Sequence, residues 1–240
     1  MAISRSYGDH ICYLNKKHAK LIAMNLLSGA NSMFNRIYRI KHIKRLKRLI
    51  KKHLARGLSQ DFVVDFKQFN DENLIDSIKI CITFENYIKA SLLLKGYLIH
   101  RIDSRNQTLS KVKHLAEKQR KSPVTISEFK KSAKYEYDSK KQNYRLANLA
   151  DNTLDFTILL NKKDYKKIGN LPNNIVDILD MKRLERNILH FYLGDRAGYS
   201  SSLTEELDIL REFIKEQIIP KYDKLVRELS LNFGDAKPNA

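Results

Sequence analysis

Between Met33 and Leu54 the apolar residues recur at helical spacing: Met33, Ile37, Ile40, Ile43, Leu46, Ile50 and Leu54. This stripe constrains the chain strongly, because only a helical period brings these side chains onto one face. The remaining positions from Arg36 to Arg56 carry ten Lys or Arg and no acid. The segment from Ser32 to Arg56, closed by Gly57, therefore reads as one basic amphipathic helix. The same period predicts a helix over 13–27 that stops at Ser28-Gly29, and another from a cap at Asp71 to Gly96. A further helix is expected over 108–120, ending before Pro123. Helical pattern resumes at the capping-box spacing Thr125–Glu128 and is strongest over 139–162. After a turn at Pro172, a helix is expected over 175–193, up to Gly194. A second capping box, Ser202–Glu205, opens a helix reaching Leu231, with a kink expected at Pro220. Residues 61–66, DFVVDF, are the one short strand expected. With only 8 Gly and 4 Pro, the chain lacks the turn residues of an all-β fold, and the expected class is all-α.

The formal net charge is +18, and it is unevenly placed. Residues 1–60 hold 14 Lys or Arg against one acid, Asp9, whereas the other 180 residues carry a net of only +5. A concentrated positive field attracts polyanions, most often nucleic acid. The candidate phosphate contacts are Arg39, Lys44, Arg45, Lys47, Arg48, Lys51 and Lys52. The alternatives are a merely solvated face, or membrane-surface binding by residues 32–56. The second is disfavoured because the stripe lacks Trp and has few bulky aromatics.

Two cysteines, Cys12 and Cys81, offer neither a disulfide framework nor metal-ligand spacing. The chain begins without the apolar run of a signal peptide, and no uncharged apolar stretch of about 18 residues occurs. A cytoplasmic location without a membrane span is the expectation.

Phosphate-cradling Gly loops, nucleophile elbows and zinc-ligand pairs are all missing from the sequence. One segment nevertheless groups reactive side chains. In MKRLERNILHFYLG, Arg183, Arg186 and His190 fall at i, i+3 and i+7. On a helix Arg183 and His190 lie about 20° apart, and Arg186 about 40° from His190. Asn187, one turn after Arg183, approaches the same face. This set suits phosphodiester chemistry: His190 can move a proton near neutral pH, and Arg side chains can hold phosphate oxygens. The alternative is a surface helix with two arginines and a half-buried histidine.

At this point the sequence resembles the HEPN superfamily, the helical ribonuclease and nucleotide-binding domains of bacterial defence and toxin systems. FENYIKASLLLKGYLIHRID, residues 84–103, is similar to the early helix of that family. RLERNILHF, residues 183–191, is similar to its late helix, where an Arg and a polar residue precede a His. The resemblance extends over 70–230 in helix order. Arg183 stands six residues before His190, within the family's range, while Arg186-Asn187 carries the Arg–polar pair with three residues intervening. Glu185 occupies the position at which the commoner spacing would put the arginine, so either arginine is a candidate. The resemblance implies an up-and-down bundle over 61–240, with residues 1–60 as a basic helical extension. It also implies a homodimer whose two Arg/His motifs face across a cleft. The implied activity is metal-independent endonucleolytic cleavage of RNA, without a cofactor. His190 would be general acid or base, Arg183 and Arg186 would bind the scissile phosphate, and Asn187 would orient phosphate or His190. Glu85 would back an arginine, or is simply a surface acid. A toxin or anti-phage effector with an antitoxin or defence-system partner would fit. The alternative is a non-catalytic nucleic-acid-binding or assembly module on the same scaffold.

Overall fold

The computed structural model describes residues 15–56, 73–103, 110–132, 135–138, 143–146, 148–188 and 203–234. Its class is all-α, with two small antiparallel ladders. The elements run α1 (Lys16–Asn35), α2 (Tyr38–Lys41), α3 (Ile43–Arg56), α4 (Asn73–Leu94), β1 (His100–Ile102), α5 (Ser110–Lys121) and α6 (Ile126–Lys130). Then follow β2 (Tyr135–Asp138), β3 (Asn143–Leu146), β4 (Leu149–Thr153), α7 (Phe156–Asn161), α8 (Lys163–Gly169) and α9 (Asn173–Ile188). The chain closes with α10 (Leu203–Phe213), a π-helical turn (Ile214–Ile218) and α11 (Ile219–Gly234). Among the described residues, no helix is long and apolar enough to cross a membrane.

The chain divides into two compact units, one of 1–26, 87–171 and 224–240, the other of 27–86 and 172–223. The expected boundary near residue 60 and the strand expected over 61–66 lie outside the described residues.

In the first unit the end of α4 is core, with Tyr87, Ile88, Ala90 and Leu92 fully buried. Burial pushes the Tyr87 phenol up to about 12, although a hydrogen bond with Ser91 opposes the shift. After α4 the backbone turns through Gly96 at φ 79°, a left-handed conformation that glycine adopts without strain. The Gly96 carbonyl then accepts from the Ile126 amide at 2.8 Å, and the Leu98 amide donates to Val124 at 2.9 Å. This seats α6, whose start is the expected capping box. The Glu128 amide donates to the Thr125 hydroxyl at 3.1 Å, and the Glu128 carboxylate accepts from the Thr125 amide at 3.0 Å. β1 pairs antiparallel with β4. Its other edge is satisfied by one buried side chain. Gln119 accepts from the Ile102 amide and donates to the His100 carbonyl, both at 2.8 Å. The Tyr165 hydroxyl of α8 donates to the Gln119 carbonyl, also at 2.8 Å.

The helical pattern expected over 139–162 is not what forms. β2 and β3 make a hairpin ladder from Tyr135↔Leu146 to Asp138↔Asn143, and β4 follows before α7 begins at Phe156. Tyr135, Tyr137 and Tyr144 favour a pleated backbone, and pairing between strands outweighs a local period.

α1 runs unbroken through Ser28-Gly29, where a stop was expected. The buried series Ala19, Ala23, Leu27, Ala30 and Phe34 crosses that point without a break. Burial of such a stripe outweighs the cost of about 1 kcal/mol for one mid-helix glycine. The single helix expected over 32–56 is interrupted instead at Arg36-Ile37 and again at His42. Asp76 of α4 explains the first break. Its carboxylate accepts from the Tyr38 amide at 2.9 Å and the Arg39 amide at 3.0 Å, so it caps α2 from outside. It also accepts from Arg39 Nε at 3.1 Å and Lys79 Nζ at 3.2 Å.

Just before Pro220, where a kink is expected, the helix passes through a π turn, Ile214–Ile218. Proline cannot donate a backbone bond and its ring crowds the preceding turn, and a wider turn relieves both. Phe84 of α4 packs on Phe213 with ring centroids 5.6 Å apart.

Candidate nucleic-acid interface

α3 is anchored through one face. Ile43 and Leu46 are buried, and Tyr38, Leu49 and Ile50 pack against Leu46. The opposite face is exposed at Lys44, Arg45, Lys47, Arg48, Lys51 and Lys52. Among the described residues, no acidic side chain pairs with Lys44, Arg48, Lys51 or Lys52. Lys47 is different: its ammonium is bound to the Asp208 carboxylate of α10. Around the helix it sits at the edge of the cationic arc, about 100° from the buried Leu46. An acid there marks where the positive face ends.

Arg39 leaves the set of phosphate contacts. It belongs to α2, is 1% exposed, and its guanidinium is bound to Asp76. A buried Arg bonded to a buried carboxylate is a structural ion pair, out of reach of an external phosphate. The sequence pattern misplaced it because the helix interruption at His42 changes which face Arg39 shares.

On α9 the structure places Arg183 half-buried, with Nε and Nη2 donating to Asp180 Oδ1 at 2.9 and 2.8 Å. The carboxylate one turn earlier fixes the guanidinium plane. The i, i+3 spacing of Asp180 and Arg183 was open to sequence reading and went unused. Arg186 and Asn187 lie within the same helix, while His190 is outside the described residues. Next to this group, Lys182 is 2% exposed and reaches Glu206 at 3.3 Å. Met181 and Leu184 of α9 are exposed at 44% and 50%. Glu85, on α4, is half-buried.

Among the described residues, no three His, Cys, Asp or Glu side chains come together to hold a metal ion. No protein-family model matches this chain, and no curated protein or solved structure shows detectable similarity to it.

Proposed function

We propose that this protein binds nucleic acid, RNA in the first place, through the exposed cationic face of α3. The observation that carries this reading is the contrast across one helix. Ile43 and Leu46 are buried in the core, while Lys44, Arg48, Lys51 and Lys52 stand in solvent without an acidic partner among the described residues. Unneutralised cations on a rigid rod release counterions from a phosphate chain when they bind it. The test is fluorescence anisotropy with labelled RNA across a salt series. Affinity should fall steeply with salt, and Lys44→Glu with Lys51→Glu should abolish binding while leaving the circular dichroism spectrum unchanged. Salt-independent binding, or full binding by that variant, refutes the reading.

A second reading adds catalysis: a metal-independent endoribonuclease of HEPN type, cytoplasmic, acting as a toxin or anti-phage effector with an antitoxin or defence-system partner. It is favoured by α9, on which Arg183 is held by Asp180 and Arg186 follows one turn later. In this reading a base removes the 2′-OH proton of RNA and the 2′-oxygen attacks the adjacent phosphorus. The 5′-oxygen leaves with a proton from an acid, giving a 2′,3′-cyclic phosphate and a 5′-hydroxyl. His190 serves as acid or base, Arg183 and Arg186 hold the charged phosphate, and Asn187 orients it. The homodimer belongs to the same reading and is supported by the exposed apolar pair Met181 and Leu184. Cleavage in EDTA that disappears in a folded His190→Ala variant supports this reading; cleavage that persists in that variant sinks it.

A further inference from the structure

Resting on the proposed nucleic-acid binding by α3, we infer that its ligand is a duplex, held by the phosphates of both strands with no reading of bases. Three observations carry this. The first is the layout of the four cations that have no acidic partner among the described residues. With Leu46 as the buried reference, Lys44 and Lys51 lie at about 160° and 140°, and Arg48 and Lys52 at about 200° and 240°. They form two rows along the helix, and the exposed Ala55 follows beyond Lys52 on the line between them. A convex rod with a cationic row on each flank matches a groove bordered by two phosphate chains. A single strand engages one row only.

The second observation is chemical. Apart from cations, Ala55 is the sole exposed residue among the described side chains of α3. Single-stranded ligands are held largely by bases stacking on aromatic rings, and this face has no ring. It also lacks the Asn, Gln, Ser and Thr side chains that share base reading with arginine.

The third is rigidity and reach. Lys44 and Lys52 are about 12 Å apart along the axis, and a duplex presents about one charge per 1.7 Å over that length, twice the density of one strand. The duplex is already ordered, whereas a single strand must lose conformational freedom to match fixed cations. The shared chemistry is a pair of phosphate chains across a groove, which either an RNA or a DNA duplex supplies.

The experiment uses the full chain and four labelled probes of equal length: an RNA duplex, a DNA duplex, and one single strand of each. Both duplexes should bind at least tenfold more tightly than their single strands, and scrambling the duplex sequence should change affinity less than twofold. The tighter of the two duplexes identifies the source. Removing one row (Lys44→Ala with Lys51→Ala) or the other (Arg48→Ala with Lys52→Ala) should each lower the log–log salt slope for duplex by about 2. Equal or tighter binding of single strands, or a row deletion that leaves duplex affinity unchanged, overturns the inference while α3 binding survives. Absence of binding to all four probes at low salt removes the underlying reading as well.

Discussion

Lys47 on the cationic face of α3 is bound to the Asp208 carboxylate of α10. Both side chains are about half exposed, at 49% and 45%, so the pair holds weakly against a competing phosphate. Asp208→Asn should therefore strengthen duplex binding, by about threefold at moderate salt, and steepen the salt slope by about 0.9 as Lys47 joins the contacts. Anisotropy titrations of wild type and variant measure both quantities. An unchanged slope would place Lys47 outside the interface.

Asp76 and Arg39 are buried at 0% and 1% exposure, and the carboxylate also caps α2. Asp76→Ala strips a buried guanidinium of its counter-charge and leaves two helix amides unsatisfied, a loss of about 3–5 kcal/mol. Urea unfolding should show a midpoint well below wild type. Arg39→Ala should likewise destabilise. Because Arg39 faces the core, whatever RNA affinity remains in the folded fraction should keep its wild-type salt slope, unlike that of Lys44→Ala.

The Lys118 ammonium at 2.5 Å, then the Thr125 amide, hold the Glu128 carboxyl down to about 2. The folded value lies below the unfolded one, so the ionised form stabilises the fold at pH above about 4.3. That contribution is lost as pH falls toward 2. Glu128→Gln should cost about 1 kcal/mol at pH 7, the usual worth of such a cap. The gap between wild type and variant, followed by thermal unfolding at successive pH values, should shrink between pH 4 and pH 2. A gap that stays constant would show that the hydrogen-bonded shape matters and the charge does not.

If the protein cleaves RNA, Arg183→Ala should lower the single-turnover rate by about 10²–10³, the usual effect of losing one group that stabilises transition-state charge. Asp180→Asn keeps the guanidinium but loosens its orientation, and its effect should be smaller, about tenfold. Equal rates for wild type and Arg183→Ala would leave Arg186 as the arginine that serves.

The helical class was readable in the sequence because apolar period and stop residues agree over most of the chain. α4 was expected to Gly96 and ends at Leu94; α5 was expected over 108–120 and spans Ser110–Lys121. The Thr125–Glu128 cap formed as its spacing demanded. Other features depend on partners far away in the chain. The break before Tyr38 is made by Asp76, and no pattern near Arg36 announces it. α1 passes Gly29 because Leu27 and Ala30 on either side are buried. The hairpin at 135–146 required knowing which strands would pair. For the interface, the exposed cations were legible as a stripe. Arg39's burial and Asp208's place at the rim were not, since both are set by other helices.

Gln119 stands in for a strand neighbour along the free side of β1 among the described residues, answering Ile102 and His100 with the two ends of one amide. The Ile102 amide is thus shielded only while α5 is docked. Its hydrogen-exchange rate reports the opening of α5 itself, and slow exchange at this one position would mark helix and ladder as a single cooperative unit of unfolding.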